Sequence, residues 1–177
     1  MALKLITPPV GYPVTLTEAK AQARVDGTDS DAALNGMIAA ATNYVEDYTG
    51  QALLPQTWAL YLDDFSPSIQ IPKNPVISVT SVQYYDISNV LQTIDPANYA
   101  VDLISKPQWI VPVTAYVWPL TPSGVNNVIV TFVAGLSTIP SSVHHALLLL
   151  ISSWFDDRDR GSIPEGVMAL LSNHRSF

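Results

Sequence analysis

Hydrophobic positions are densest between Ser141 and Arg160, where the chain reads SSVHHALLLLISSWFDDRDR. Ile139-Pro140-Ser141 predicts a helix start, because proline adds no unpaired N–H to the first turn and a serine oxygen can accept one. The apolar residues Val143, Ala146 to Ile151, Trp154 and Phe155 fall on almost every face of a helical wheel. An ordinary surface helix carries a single apolar stripe, so this one is expected to be covered on more than one side. The run Ala146 to Ile151 is far short of the roughly 20 residues that span a bilayer, and charges follow it at Asp156 to Arg160. Protein is therefore the expected cover, supplied either by this chain alone, as for the core helix of a monomer, or by this chain together with a neighbouring copy.

Two further helices are predicted before it. Thr15-Leu16-Thr17-Glu18 has a cap residue with an acid where the helix dipole favours one, and this helix is expected to reach Arg24 or Val25. The turn residues of Asp26 to Asp31 follow, with Asp29 or Ser30 as cap for a long second helix. In that helix Leu34, Met37, Ile38, Ala41, Tyr44, Val45 and Tyr48 recur at steps of three and four, and Thr49-Gly50 stops it. Pro164-Glu165 opens a last short helix through Leu171.

From Gln51 to Gly135 the helical spacing disappears. Trp58, Leu60 and Leu62 alternate with Thr57, Ala59 and Tyr61, and similar alternation recurs at Ile69 to Ile71, Val76 to Tyr85, Tyr99 to Leu103, Trp109 to Val113 and Val128 to Val133. Asp86-Ile87-Ser88-Asn89 reads as a hairpin turn that returns Val90 to Ile94. Prolines stand between these pieces or at their ends, where a missing N–H does least harm. The predicted class is α+β: a helical bundle, residues 1–50 and 136–177 with two N-terminal and two C-terminal helices, carrying an inserted, mostly antiparallel β module over 51–135. Helices on either side of an insert are expected to share a core, because neither pair alone buries its apolar face.

Composition sharpens this picture. Charged residues make up only 13% of the 177 residues, about half the usual share, and leave a surface suited to being covered by partners. Fifteen acids oppose eight bases, for a net charge of -7, and the bases form no run. A phosphate-binding footprint is therefore not expected, although like charge would let DNA pass without being gripped. With no cysteine, thiolate chemistry and disulfides are excluded. The opening MALKLITPPVGYP is not a secretory signal, and synthesis in a cytoplasm fits best.

Candidate chemistry is thin. Asp26, Asp29 and Asp31 lack the alternate spacing and the terminal glutamate of a calcium loop, so helix capping explains them better. His144 and His145 are adjacent, about 100° apart on a helix, and cannot chelate one metal as an i, i+4 pair does. No metalloprotease, nucleophile-elbow or phosphate-loop motif occurs. No catalytic, metal or cofactor residues are assigned, and no enzyme activity is expected. Trp58 and Trp109 alternate with other strand residues and read as core, whereas Trp118, before Pro119, reads as exposed.

Motif order adds a resemblance. Leu5 to Pro9, Val14 to Lys20, Arg24 to Asp29, Gln56-Thr57-Trp58, Ile71-Pro72, Pro75-Val76, Trp118-Pro119, Ala134-Gly135, Leu148 to Trp154 and Gly166-Val167 stand in the order found in tailed-bacteriophage head–tail connector proteins. The chain resembles that family over its whole length, in the version with a β-rich insertion. Asn89 departs from the expected turn glycine, but asparagine tolerates the same positive φ. The resemblance implies a structural virion protein: a dodecameric adaptor ring beneath the portal, made in the host cytoplasm and placed at the head–tail interface, extending the DNA channel and docking tail-completion, stopper or tail-tube proteins. DNA would pass without sequence-specific binding, and no membrane is involved. The residues expected to meet the portal or a neighbouring subunit are His144, His145, Trp154, Arg158, Arg160, His174, Arg175 and Phe177. The tail Ser172 to Phe177 is expected to order only against a partner, with Arg175 and Phe177 as anchors. Two other classes remain open, a carbohydrate or host-surface binding module using exposed aromatics of the β insert, and a small hydrolase.

Overall fold

A computed structural model describes residues 1–157 and 162–175. Among them are four α-helices and eight strands, so the class is α+β with antiparallel pairing throughout. The strands are β1 (Ala2–Thr7), β2 (Gln56–Leu62), β3 (Ile69–Ile71), β4 (Val76–Tyr85), β5 (Leu91–Thr93), β6 (Tyr99–Asp102), β7 (Gln108–Pro112) and β8 (Val128–Ala134). The helices are α1 (Leu16–Ala23), α2 (Asp31–Thr49), α3 (Ser141–Asp156) and α4 (Glu165–Ser172). The described residues divide into a helical unit, 10–54 with 136–157 and 162–175, and a β unit, 1–9 and 55–135.

The helical unit is organised around α3, which packs against α1, α2 and α4. Leu34, Ile38, Ala41 and Val45 recur on one face of α2 and join Val143, Ala146, Leu147, Leu150 and Ile151 of α3 in one buried cluster, closed by Ala19 of α1 and by Val167 and Leu171 of α4. Leu148, Leu149, Trp154 and Phe155 pack on that cluster but stay half-buried, so α3 is covered on most of its circumference and not all.

Local sequence explains most helix ends. Thr15 caps α1 in a reciprocal box: its Oγ1 accepts from Glu18 N at 3.2 Å, and Glu18 Oε2 accepts from Thr15 N at 2.8 Å. Thr15 Oγ1 also donates to Glu18 Oε2 at 2.6 Å, and this bond first, with the one from Thr15 N, holds the Glu18 carboxyl below its ordinary range. Arg24, at φ 54°, ends α1, and Gly50, at φ 71°, ends α2 in the left-handed conformation that glycine enters without steric cost. Two expected caps are not made. Ser30 precedes α2 without a side-chain bond, and Pro140, not Ser141, occupies the cap position of α3. Asp31, in the first turn of α2, instead takes the Lys20 ammonium at 2.7 Å and ties α2 to α1.

Replacing Thr15 by alanine is expected to cost about 1 kcal/mol, read from chemical denaturation. The box is also acid-sensitive. A carboxyl whose folded pKa is depressed contributes stability above its unfolded pKa and loses it as pH falls through the folded value. The wild type should therefore lose stability relative to Thr15→Ala on acidification below the ordinary carboxylate range. A constant difference between the two proteins from pH 7 to pH 2 would show that the Glu18 carboxylate contributes nothing to the box.

In the β unit, five strands run in the order β1-β2-β8-β4-β5, and three more in the order β3-β7-β6. β8 is central, and alternate residues Val128, Val130, Phe132 and Ala134 are buried. Their registered partners include Leu60 and Val82, which are also buried. Ile69, Ile71 and Ile110 are the corresponding buried positions of the smaller sheet. Buried Gln108 joins the sheets: its Oε1 accepts from Val76 N at 2.5 Å, and its Nε2 donates to Leu103 O. The 86–89 turn returns β5 onto β4 with Asn89 at φ 60°, the positive φ that the sequence requires there.

One assignment is corrected. Residues 2–7, read from the sequence as part of the helical segment, form the edge strand of the five-stranded sheet, with Leu3 opposite Leu60 and Leu5 opposite Trp58. The strand is exposed along its whole length, so its own sequence shows no strong burial alternation.

Candidate protein–protein interface

The helical unit brings three of the predicted interface residues into one line. Tyr44 and Tyr48, one turn apart on α2, have ring centroids 6.2 Å apart and nearly parallel planes. Trp154 meets Tyr44 edge-on at 6.4 Å, and the Arg175 guanidinium lies 5.1 Å from the Tyr48 ring centroid. The Tyr44 hydroxyl reaches Met168 Sδ at 3.4 Å. Partial burial pushes the Tyr44 phenol up, so this ring stays neutral across physiological pH. His174 extends the line, its Nε2 2.8 Å from Ser142 Oγ at the start of α3.

His144 stands apart from this strip, with Nε2 3.3 Å from Glu18 Oε1, a pair that is ionic only when the imidazole is protonated. His145 is exposed. Arg158, Arg160 and Phe177 lie outside the described residues. The tail differs from expectation as far as Arg175: Ser142 and Tyr48 of the same chain engage His174 and Arg175, so these two side chains have intramolecular seats.

The platform tyrosines were not singled out by the sequence, where Tyr44 and Tyr48 read as core positions of α2. Their i, i+4 spacing is the same for a buried stripe and for its half-exposed margin. The third reading, of an exposed tryptophan for carbohydrate, also changes. The Trp118 ring lies flat on Phe65, with centroids 4.9 Å apart and planes 7° from parallel, and Tyr116 closes on it edge-on. One face of the ring is thus already taken by Phe65 of the same chain. Trp58 and Trp109 are half-buried rather than fully enclosed, and the Lys73 ammonium lies 5.5 Å from the Trp58 ring centroid. Among the described residues no group of three or more metal-binding side chains occurs, and no helix is long and apolar enough to cross a membrane.

The sequence pattern of the family described as phage gp6-like head–tail connector protein matches residues 13–103, just over half the chain. The chain belongs to that family. The matched segment carries α1, α2 and strands β2 to β6. This connector is also similar in structure to proteins of gene transfer agent particles. Against a chain from the neck of an empty particle, solved with C6 symmetry, the TM-score is 0.85 at 26% identity, covering 100% of this chain and 96% of the other. A chain from the virion of the native particle gives 0.83, and one from the native neck solved with C12 symmetry gives 0.75, at the same identity and coverage. No curated protein matches the connector's sequence. The family is a structural one, and its members' place at the junction of head and tail agrees with the neck setting of these relatives.

Proposed function

We propose that this connector forms the head–tail adaptor ring beneath the portal, extends the DNA channel and receives the tail-completion proteins. The observation that carries the reading is likeness over the entire chain to neck components whose particles were solved with C6 and C12 symmetry. A closed ring uses head-to-tail contacts, so each subunit needs two different complementary patches. The low charge content leaves surface that is cheap to bury, and a net charge of -7 keeps DNA mobile in a channel. The portal-facing surface is assigned to the strip of Tyr44, Tyr48, Trp154 and Arg175, extended by His174, since aromatics and arginine dominate interface energetics. The same reading places His144, His145, Arg158, Arg160 and Phe177 at the portal or the neighbouring subunit. The chain is assigned to the virion, after synthesis in the host cytoplasm.

Light scattering of the purified protein, alone and with its cognate portal ring, tests this. The expected result is association with the portal in a fixed ratio that matches the portal's own symmetry. A protein that ignores the portal at micromolar concentration is not its adaptor. A chain ending at Leu171 loses Arg175 and His174 and should bind portal about tenfold more weakly or worse; undiminished binding would remove the strip's C-terminal part from the interface.

A further inference from the structure

One end of the β unit presents an apolar surface that the fold does not use. β2 ends at Leu62 opposite Val128, β4 places Tyr84 opposite the same residue, and Tyr85 faces Leu91. The loops 63–68, 86–90 and 113–127 therefore emerge together. The opposite end, where Thr7, Gln56, Val76 and Ala134 meet in register, is where the chain enters and leaves the unit. At the loop end Ile87, Val117, Leu120 and Val125 are 77%, 82%, 81% and 75% exposed, and Val90 is 52% exposed. Scattered apolar residues on a surface need no explanation, but several large ones gathered on one group of loops do.

These loops are held in place. Asn127 Nδ2 donates to the carbonyls of Asp63 and Pro122, at 3.0 and 2.7 Å, and Asp63 Oδ1 accepts from Asn126 N. Thr121 Oγ1 donates to Asp64 Oδ1 at 2.9 Å. Phe65 is fixed between Tyr84 and Trp118. Asp86 Oδ1 accepts from Val90 N and Ser88 N and its Oδ2 from Gln92 Nε2; these bonds, that of Val90 first, keep its carboxyl below the ordinary range and so charged. Ala115, with no polar side chain to favour it, sits at φ 70°. A connection as long as 113–127 without regular structure is uncommon unless it carries a function, and rigid presentation lowers the entropy cost of docking.

Charge selects the occupant. The three loops contain Asp63, Asp64 and Asp86 and no Lys, Arg or His. Anionic lipid headgroups and nucleic acid are repelled by such a face, a second copy meeting it loop end to loop end would set aspartates against aspartates, and the chain's own eight bases form no run to rim an acceptor patch on a ring neighbour. We infer that this loop end is the docking surface for a different protein of the particle, one presenting an apolar patch rimmed by Lys or Arg. The inference rests on the connector reading above and specifies which surface receives a neighbouring ring.

The test uses full-length protein and two purified probes from the same particle, the portal ring and the tail-side neck protein. The variants are the double substitution Val117→Ser with Leu120→Ser, and Val125→Lys beside Val125→Glu, all at exposed positions; far-UV circular dichroism confirms folding. Because the portal-facing surface is assigned to the helical strip, the double variant should bind the tail-side neck protein about tenfold more weakly or worse and keep the portal ring within about twofold. Val125→Lys should weaken the affected complex more than Val125→Glu, because only lysine opposes a basic rim. Loss of the portal, alone or together with the tail-side protein, or loss of neither probe overturns the docking surface, and a Glu variant weaker than the Lys variant overturns the basic rim. Binding to anionic vesicles, or a dimer in sedimentation equilibrium, that the double variant abolishes would assign the face to lipid or to self-association and equally overturn the inference. If the wild type binds neither probe, the connector reading itself fails and takes this inference with it.

Discussion

Leu150→Ala should destabilise the helical unit by about 3 to 4 kcal/mol, the largest loss expected from one substitution there. Leu150 is fully buried in α3, the helix that packs against the other three, so truncation leaves a cavity bounded by several elements that cannot all move in to fill it. Leu149, its neighbour, is only half-buried and packs at the margin of the same cluster. Leu149→Ala in the isolated protein should therefore cost about 1 kcal/mol or less. Urea denaturation followed by helical circular dichroism compares the two. Equal costs would mean that the cover of α3 is uniform around its circumference, contrary to the packing described.

Phe132→Ala is the corresponding substitution in the β unit, with an expected loss of about 3 to 5 kcal/mol. Phe132 lies in β8, between Trp58 on one side and Val79 on the other, and is fully buried. Thr131, adjacent in sequence, points to the opposite face and is half-buried; Thr131→Ala should stay within about 1 kcal/mol. Because Trp58 is registered directly across from Phe132, tryptophan fluorescence can follow the transition. A Thr131 variant as unstable as the Phe132 variant would place the core on the wrong face of the sheet.

Short-range chemistry made much of this fold legible. The reciprocal Thr15 and Glu18 cap, the Gly50 stop, the positive φ of Asn89 and the alternation of Val128 to Ala134 are each decided within a few residues, and each appears where the sequence puts it. What escaped depends on distant partners. Ala2 to Thr7 is a strand because β2, beyond both N-terminal helices, is there to pair with it, and nothing local in an exposed edge strand announces that. Ser141 looked like a cap, but the helix begins one residue earlier than a serine cap would allow. The candidate interface was legible in part. Trp154 and Arg175 are residue types that interface hot spots favour, but the rings that organise them come from α2, where tyrosines at core spacing carry no mark of exposure. The apolar loop end escaped because its three loops are far apart in the chain and meet only through strand register.

The place of β8 sets the order in which the sheet can be built. It is the last strand to leave the ribosome and the middle one of five, bonded to β2 on one side and β4 on the other. Until it emerges, β1 with β2 and β4 with β5 are two separate ribbons, each with an unpaired inner edge. Such non-local closure is slow and exposes strand edges while it waits. The β unit should therefore mature only after synthesis has passed residue 134, leaving a nascent chain most vulnerable to misassociation just before that point.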